Sequence, residues 1–214
     1  MIELSLVREP FKHCILDPVL PWDLYWELKA NFPGIKYKHP NQRLDIPGYK
    51  AHGIWKMFCE EHSSQAWWDH IRAVFELNIT EKCSVRGIDG PGVKLDCQTG
   101  IVSPHGPLNV GAHIDNFAKC FSGLMYFPIE GDEGAPLYLY KGETKFTDKR
   151  FVEDSTLEIF ATVPYKDNVG VFFENTYKSL HGVDRREIKH PRRLVNFVAE
   201  IGSYVTPPRP LGKD

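Results

Sequence analysis

Gly111-Ala112-His113-Ile114-Asp115-Asn116-Phe117-Ala118-Lys119-Cys120-Phe121-Ser122-Gly123-Leu124-Met125-Tyr126-Phe127 is the stretch on which the reading of this chain turns. His113 and Asp115 are two residues apart, so on a strand both side chains leave the same face. An imidazole and a carboxylate so placed are two thirds of a facial triad, in which two histidines and one carboxylate hold one side of a metal and leave the other side open. The candidate for the third ligand is His181, in Ser179-Leu180-His181-Gly182-Val183. It lies far enough along the chain for several strands to intervene, as a rolled sheet requires. A His-x-Asp pair alone carries little weight in a sequence with nine histidines. Its weight comes from its surroundings.

Those surroundings are β-rich. From residue 83 the chain runs in short β-branched and aromatic segments separated by Gly, Pro and Asp. The pattern predicts strands near 83–87, 93–98, 108–114, 119–127, 136–140, 156–161, 169–173, 178–183 and 193–201. Many short strands without helices between them indicate a sandwich or barrel. Histidines in mid-strand favour a metal-bearing jelly roll of the cupin type. The expected fold is therefore mainly β with N-terminal helices, built on a double-stranded β-helix core.

Upstream, residues 10–20 read as a strand ending at Asp17-Pro18. Pro21 then opens a helix in its preferred first-turn position, with Leu24, Tyr25, Leu28 and Phe32 as an apolar stripe and Pro33-Gly34 as its stop. Ser63 or Ser64 caps a second helix running to about Asn78, in which the Trp67-Trp68 pair serves packing. Between the helices, residues 35–58 read as a loop or lid. This stretch is punctuated by Pro and Gly and carries Lys36, Lys38, Arg43, Lys50 and Lys56, with His39, Tyr49, His52 and Trp55. A solvated connection and a substrate-facing lid both fit it. The expected organisation is a single domain over 1–214. Residues 1–80 form a helical part with the lid, and 81–205 form the core.

Bulk properties narrow the class. The 214 residues are 42% apolar and 25% charged, enough for a substantial core. A net charge of −2 provides no global field for nucleic acid or anionic membrane. No apolar stretch reaches bilayer length, and the first residues lack a basic start followed by an apolar run, so the expectation is a cytoplasmic protein. The five cysteines form no Cys-x-x-Cys pair and read as reduced, mostly buried thiols. Cys59-Glu60-Glu61-His62 has no second pair to complete a zinc site.

Past His181 comes Pro191-Arg192-Arg193-Leu194-Val195-Asn196-Phe197-Val198, a strand headed by arginine. A guanidinium inside a barrel must meet an anion, and its planar fork matches a carboxylate in a way lysine cannot. Alternation puts Arg192 on one face with Leu194 and Asn196, and Arg193 on the other.

Taken together, these segments resemble a 2-oxoglutarate- and Fe(II)-dependent oxygenase of the prolyl-hydroxylase-like branch. The resemblance rests on His113-x-Asp115 with the following Lys119-to-Tyr126 strand, on Gly134-Ala135-Pro136-Leu137-Tyr138-Leu139, and on His181-Gly182-Val183 with its arginine strand. The opening Pro10-Phe11-Lys12-His13 with Asp17-Pro18-Val19-Leu20-Pro21 is similar to the start of many members. Residues 35–80 are not covered. The resemblance implies that His113, Asp115 and His181 ligate Fe(II). It implies that Arg192, or Arg193 in its place, binds the distal carboxylate of 2-oxoglutarate, with Tyr126 donating its hydroxyl to the same group. It also implies an O2-dependent hydroxylation that releases succinate and CO2. Asp115 bears on the outcome, since the halogenating relatives carry a small residue there. The implied substrate is an amino acid, a peptidyl side chain of the prolyl type or a small metabolite.

Two other readings stay open at this level. A nucleic-acid dealkylase of the same superfamily would use the cluster Arg185, Arg186, Lys189, Arg192 and Arg193. That branch carries a second arginine six residues further on the last strand, where this chain has Val198 and Ala199. The alternative from another class is a cupin-like metal-binding protein that does not use 2-oxoglutarate.

Overall fold

The computed structural model describes residues 1–33, 41–43, 53–86, 92–102, 107–116, 118–132, 134–143, 157–187 and 190–201. Its elements run β1 (His13–Leu16), α1 (Trp22–Ala30), β2 (Asn41–Arg43), α2 (Gly53–Glu61), α3 (Gln65–Phe75), α4 (Ile79–Arg86), β3 (Val93–Val102), β4 (Pro107–His113), β5 (Lys119–Tyr126), β6 (Leu137–Lys141), β7 (Glu158–Val163), β8 (Gly170–Glu174), β9 (His181–Glu187) and β10 (Arg192–Ile201). The strands form two antiparallel sheets. One has six strands in the order β1-β8-β5-β10-β3-β2, the other four in the order β4-β9-β6-β7. The core is the double-stranded β-helix that the strand pattern predicts, with helices at the N-terminal side.

Side-chain alternation divides the larger sheet between two cores. On β10, Val195, Phe197, Ala199 and Ile201 pack with the helices, while Leu194 packs with Tyr126, Val171 and Phe173 between the sheets. On β5, Phe121 and Met125 join the helical side and Tyr126 the lumen. The register Leu194↔Tyr126, Asn196↔Leu124 and Val198↔Ser122 then places Arg192, Asn196 and Ser122 on the lumen face as well. Gly123 faces the helical core, where a Cβ would stand 2.4 Å from Phe172 Cδ1. Only hydrogen fits there.

The helical layer follows from the same burial. Tyr25 and Leu28 of α1 are sealed against the sheet, as the apolar stripe predicts, although Pro21 caps the helix from just outside its first turn. Ser64 caps α3, its hydroxyl accepting from Trp67 N at 3.2 Å, and Trp67 and Trp68 are both buried packing residues.

Two sequence expectations fail here. Residues 83–87 do not begin a strand, because 79–86 form α4. The Asn78 side chain accepts from Glu81 N at 3.1 Å and caps this helix, and Cys83 is buried against the helical core. The run Cys83-Ser84-Val85 is too short for composition to separate helix from strand, and the cap decides. Nor is 35–58 a loop throughout. Residues 41–43 pair with β3, and 53–61 form α2. Trp55 is a core residue whose Nε1–H donates to Leu28 O at 3.0 Å, and Lys56 forms an i,i+4 pair with Glu60 on the surface. Lys36, Lys38, His39, Tyr49, Lys50 and His52 lie outside the described residues.

All five cysteines are free thiols, four of them buried. Among the described residues, no helix is long and apolar enough to cross a membrane.

Candidate metal centre

The register of the smaller sheet builds the site. His113 at the end of β4 stands directly opposite His181 at the start of β9, and their ring centroids are 4.4 Å apart. Ala112 and Ile114 point to the outer side with Tyr140 and Leu180, which turns His113 inward. β4 ends at His113, so Asp115 reaches the same side from beyond the strand. Candidate ligand atoms of His113, Asp115 and His181 all lie within 4.8 Å of one another, the only such metal-capable group among the described residues.

Hydrogen bonds fix which atoms face the centre. His113 Nδ1 lies 2.8 Å from Gly111 O, and His181 Nδ1 lies 2.9 Å from Ser179 O. A carbonyl can only accept, so Nδ1 carries the proton in both rings and Nε2 keeps its lone pair for a metal. Burial, reinforced by the neighbouring His113, pushes the His181 pKa down to about 4, and the ring is neutral near pH 7. Asp115 is oriented from two sides. Lys119 Nζ donates to Oδ1 at 3.1 Å, and Ser122 Oγ donates to Oδ2 at 2.5 Å. Burial pushes the Asp115 pKa up. The Lys119 ammonium, the His181 ring and the Ser122 hydroxyl overcome that and hold the carboxyl well below the usual range. Each carboxylate oxygen has one donor and retains capacity for a cation. Two imidazoles and one carboxylate make a donor set suited to a divalent first-row metal.

A second group of side chains lies further along the lumen. Arg192 is 3% exposed, and its guanidinium is held between the rings of Tyr126 (4.8 Å to centroid) and Tyr165 (4.3 Å). It donates to Ala135 O. Among the described residues no carboxylate lies within ion-pair distance of it. Tyr126 is fully buried beside it, and its hydroxyl has no hydrogen-bond partner among the described residues. Burial pushes the phenol pKa up against the opposing effect of Arg192, so the hydroxyl keeps its proton and can donate. A buried cation without an anion and a buried hydroxyl without a partner, side by side, are what a carboxylate would satisfy.

Arg193 points elsewhere. Its guanidinium lies 5.1 Å from the Phe32 ring centroid, and its backbone N–H donates to Tyr165 Oη at 2.8 Å. The cluster imagined for phosphate is thus split, with Arg192 in the lumen and Arg193 on the helical side. The side chains of Arg185, Arg186 and Lys189 lie outside the described residues.

Sequence reading assigned no role to Lys119, Ser122 or Tyr165. The first two sit in the quoted stretch, and their positions i+4 and i+7 from Asp115 are the signal that could have raised them. Tyr165 carried no such signal. It reaches Arg192 because Gly134, at φ +43°, leaves room: a Cβ there would stand 1.7 Å from Tyr165 Cδ1.

No family model matches the sequence, and no curated protein matches it. Solved structures do. The fold is similar to HygX from Streptomyces hygroscopicus, solved with nickel, 2-oxoglutarate and hygromycin B, at TM-score 0.51 and 9% identity over 90% of this chain and 83% of that one. It is similar to the non-haem α-ketoglutarate-dependent epimerase SnoN from nogalamycin biosynthesis, at TM-score 0.50 and 10% identity over 94% and 87%. A Pseudomonas putida prolyl-4-hydroxylase matches at TM-score 0.49 and 15% identity over 88% and 92%. HygX and SnoN thus share the fold of this chain over most of its length.

Proposed function

We propose that this chain is a 2-oxoglutarate- and O2-dependent Fe(II) dioxygenase of the prolyl-hydroxylase-like branch. It hydroxylates an unactivated C–H of an amino-acid, peptidyl or small-metabolite substrate and releases succinate and CO2. His113 and His181 through Nε2, and Asp115 through its carboxylate, would hold the iron. Arg192 and Tyr126 would hold the distal carboxylate of 2-oxoglutarate. Iron bound there would supply the oxidising chemistry, and the protein supplies position and exclusion of water.

The observation that carries this reading is Arg192, buried with no anion beside Tyr126 and its unpartnered hydroxyl, in the lumen that holds the triad. Ser122 and Tyr126 share the lumen face of β5, four residues or roughly 13 Å apart along the strand. The long Arg192 side chain reaches into that interval from one end, and the triad occupies the other. A five-carbon diacid in the lumen would be held by the metal at one end and by the guanidinium at the other. Retention of Asp115, held by Lys119 and Ser122, favours hydroxylation over halogen transfer.

The test is anaerobic addition of Fe(II) and 2-oxoglutarate to the metal-free protein, followed by visible spectroscopy. The expected outcome is a metal-to-ligand charge-transfer band that His113→Ala abolishes. In Arg192→Ala the band should require at least tenfold more 2-oxoglutarate, in keeping with a charge-assisted bond worth about 1.5–3 kcal/mol. Iron binding with no band would sink this reading and leave a metal cupin.

A further inference from the structure

Lys119 opens β5, four residues beyond Asp115, and its ammonium lies 3.1 Å from Asp115 Oδ1. The pair is no surface contact, since the two side chains are 12% and 17% exposed. Taking a lysine this far out of water is costly unless an anion receives it. Asp115 receives it, and Asp115 is also the carboxylate of the candidate metal centre.

The surrounding chain holds that contact in place. Ala118 N donates to Asn116 Oδ1 at 3.0 Å and Lys119 N donates to Asn116 O at 2.9 Å, closing a turn that brings Lys119 back over Asp115. Asn175, fully buried just past β8, clamps this turn. Its Nδ2 donates to Asn116 O and to Lys119 O, both at 2.9 Å. Ser179 Oγ in turn donates to Asn175 Oδ1 at 3.2 Å, and Ser179 O accepts from His181 Nδ1. One buried network thus fixes the start of β5 and the His181 ring together. A rigid mounting of this kind keeps the ammonium at a set distance from the carboxylate.

Orientation alone does not account for a lysine here. Ser122 already donates to the other oxygen of Asp115, and a second neutral donor would complete the support. What Lys119 adds is charge. Imidazoles ligate through a lone pair and bring no net charge, so the carboxylate is the single anion of the triad. An ammonium bonded to it offsets that anion in a partly buried site, where charges interact more strongly than in bulk water. The repulsion grows with the charge of the ion and is one unit greater against Fe(III) than against Fe(II).

We propose that Lys119 is a positioning residue that sets the oxidation state of the centre, its ammonium acting through Asp115 to hold iron as Fe(II). This rests on the oxygenase reading, in which Fe(II) is the working state, and adds to it a charge outside the ligand set.

The test is the midpoint potential of the Fe(III)/Fe(II) couple in the iron-loaded full chain, without 2-oxoglutarate. Ferricyanide oxidises the ion and dithionite reduces it, one electron per iron, and the ferric EPR signal gives the fraction oxidised at each potential. Lys119→Met removes the charge at similar length, Lys119→Gln keeps a neutral donor, and Lys119→Arg keeps the charge. At a fixed potential the Fe(III)/Fe(II) ratio should rise at least tenfold in Lys119→Met and in Lys119→Gln. That is a fall in midpoint of about 59 mV or more for a one-electron couple. Lys119→Arg should change the ratio less than threefold. An unchanged ratio in both neutral variants, or an equal shift in Lys119→Arg, overturns the proposal. So does failure of both neutral variants to hold iron or Ni(II), which assigns Lys119 to the scaffold alone. Iron that binds equally to the wild type and to His113→Ala sinks the oxygenase reading and this inference with it. Iron that requires His113, with a potential indifferent to Lys119, sinks this inference and leaves the oxygenase reading standing.

Discussion

His181 is the residue whose surroundings say most about how the centre responds to solution conditions. Its folded pKa of about 4 lies below the usual value of 6.5, because burial next to His113 disfavours the imidazolium. The unfolded chain therefore binds the proton more readily than the folded one. Stability of the metal-free protein should be full above about pH 6.5 and fall progressively towards pH 4. Asp115 acts in the same direction at lower pH, since its depressed pKa makes the folded state prefer the carboxylate. Thermal melts between pH 7 and 4.5 should show the decline, and His181→Gln should flatten it. A wild-type profile as flat as the variant's would refute a buried neutral ring. Lys119 and Ser122, which hold Asp115 between them, belong to the same scale. Ser122→Ala should leave the fold intact and weaken Fe(II) binding by about tenfold, the lower end for a partner that orients a metal ligand. Metal titration followed by the charge-transfer band checks this.

The elements contribute through the way each strand or helix is pinned. α2 is anchored by Trp55, which fills the space between Phe32, Phe58 and Phe127 and donates to Leu28 O. Trp55→Ala removes both the packing and the hydrogen bond and should cost about 3–5 kcal/mol in denaturant unfolding. Ser64→Ala should cost about 1 kcal/mol, because it removes the cap of α3. In β5, Gly123→Ala forces a methyl against Phe172 in the middle of the larger sheet and should destabilise by about 1–3 kcal/mol. α4 is tied to β8 by the half-buried Lys82–Glu174 pair at 2.5 Å. Four helices thus form one continuous apolar layer over the outer face of the larger sheet, and that layer backs the strands that carry Ser122, Tyr126 and Arg192.

At the scale of the molecule, the pairing of β4 with β9 brings together candidate metal ligands from distant parts of the chain, so metal binding and folding would be linked. Ni(II), a redox-stable stand-in for Fe(II), should raise the melting temperature together with 2-oxoglutarate. At ligand concentrations about a hundredfold above Kd the gain corresponds to about 2.7 kcal/mol. His113→Ala should lose the shift from both, while Arg192→Ala should keep the metal's share. A shift that survives in His113→Ala would place the metal elsewhere.

Local signals determined much of this by themselves. The change in texture after the second helix announced the β-helix, and alternation on the last strand separated Arg192 from Arg193. His113, Asp115 and His181 were legible as a candidate set because residue type and spacing are properties of sequence, although Asp115 lies just beyond the strand that carries His113. What tertiary structure alone decided are relations between segments with no shared local pattern. Burial of Trp55 made part of the presumed lid a core helix. Tyr165 covers Arg192 only because Gly134 clears its path. Pairings of this kind are set by packing in three dimensions, where the gain from burial outweighs local preference.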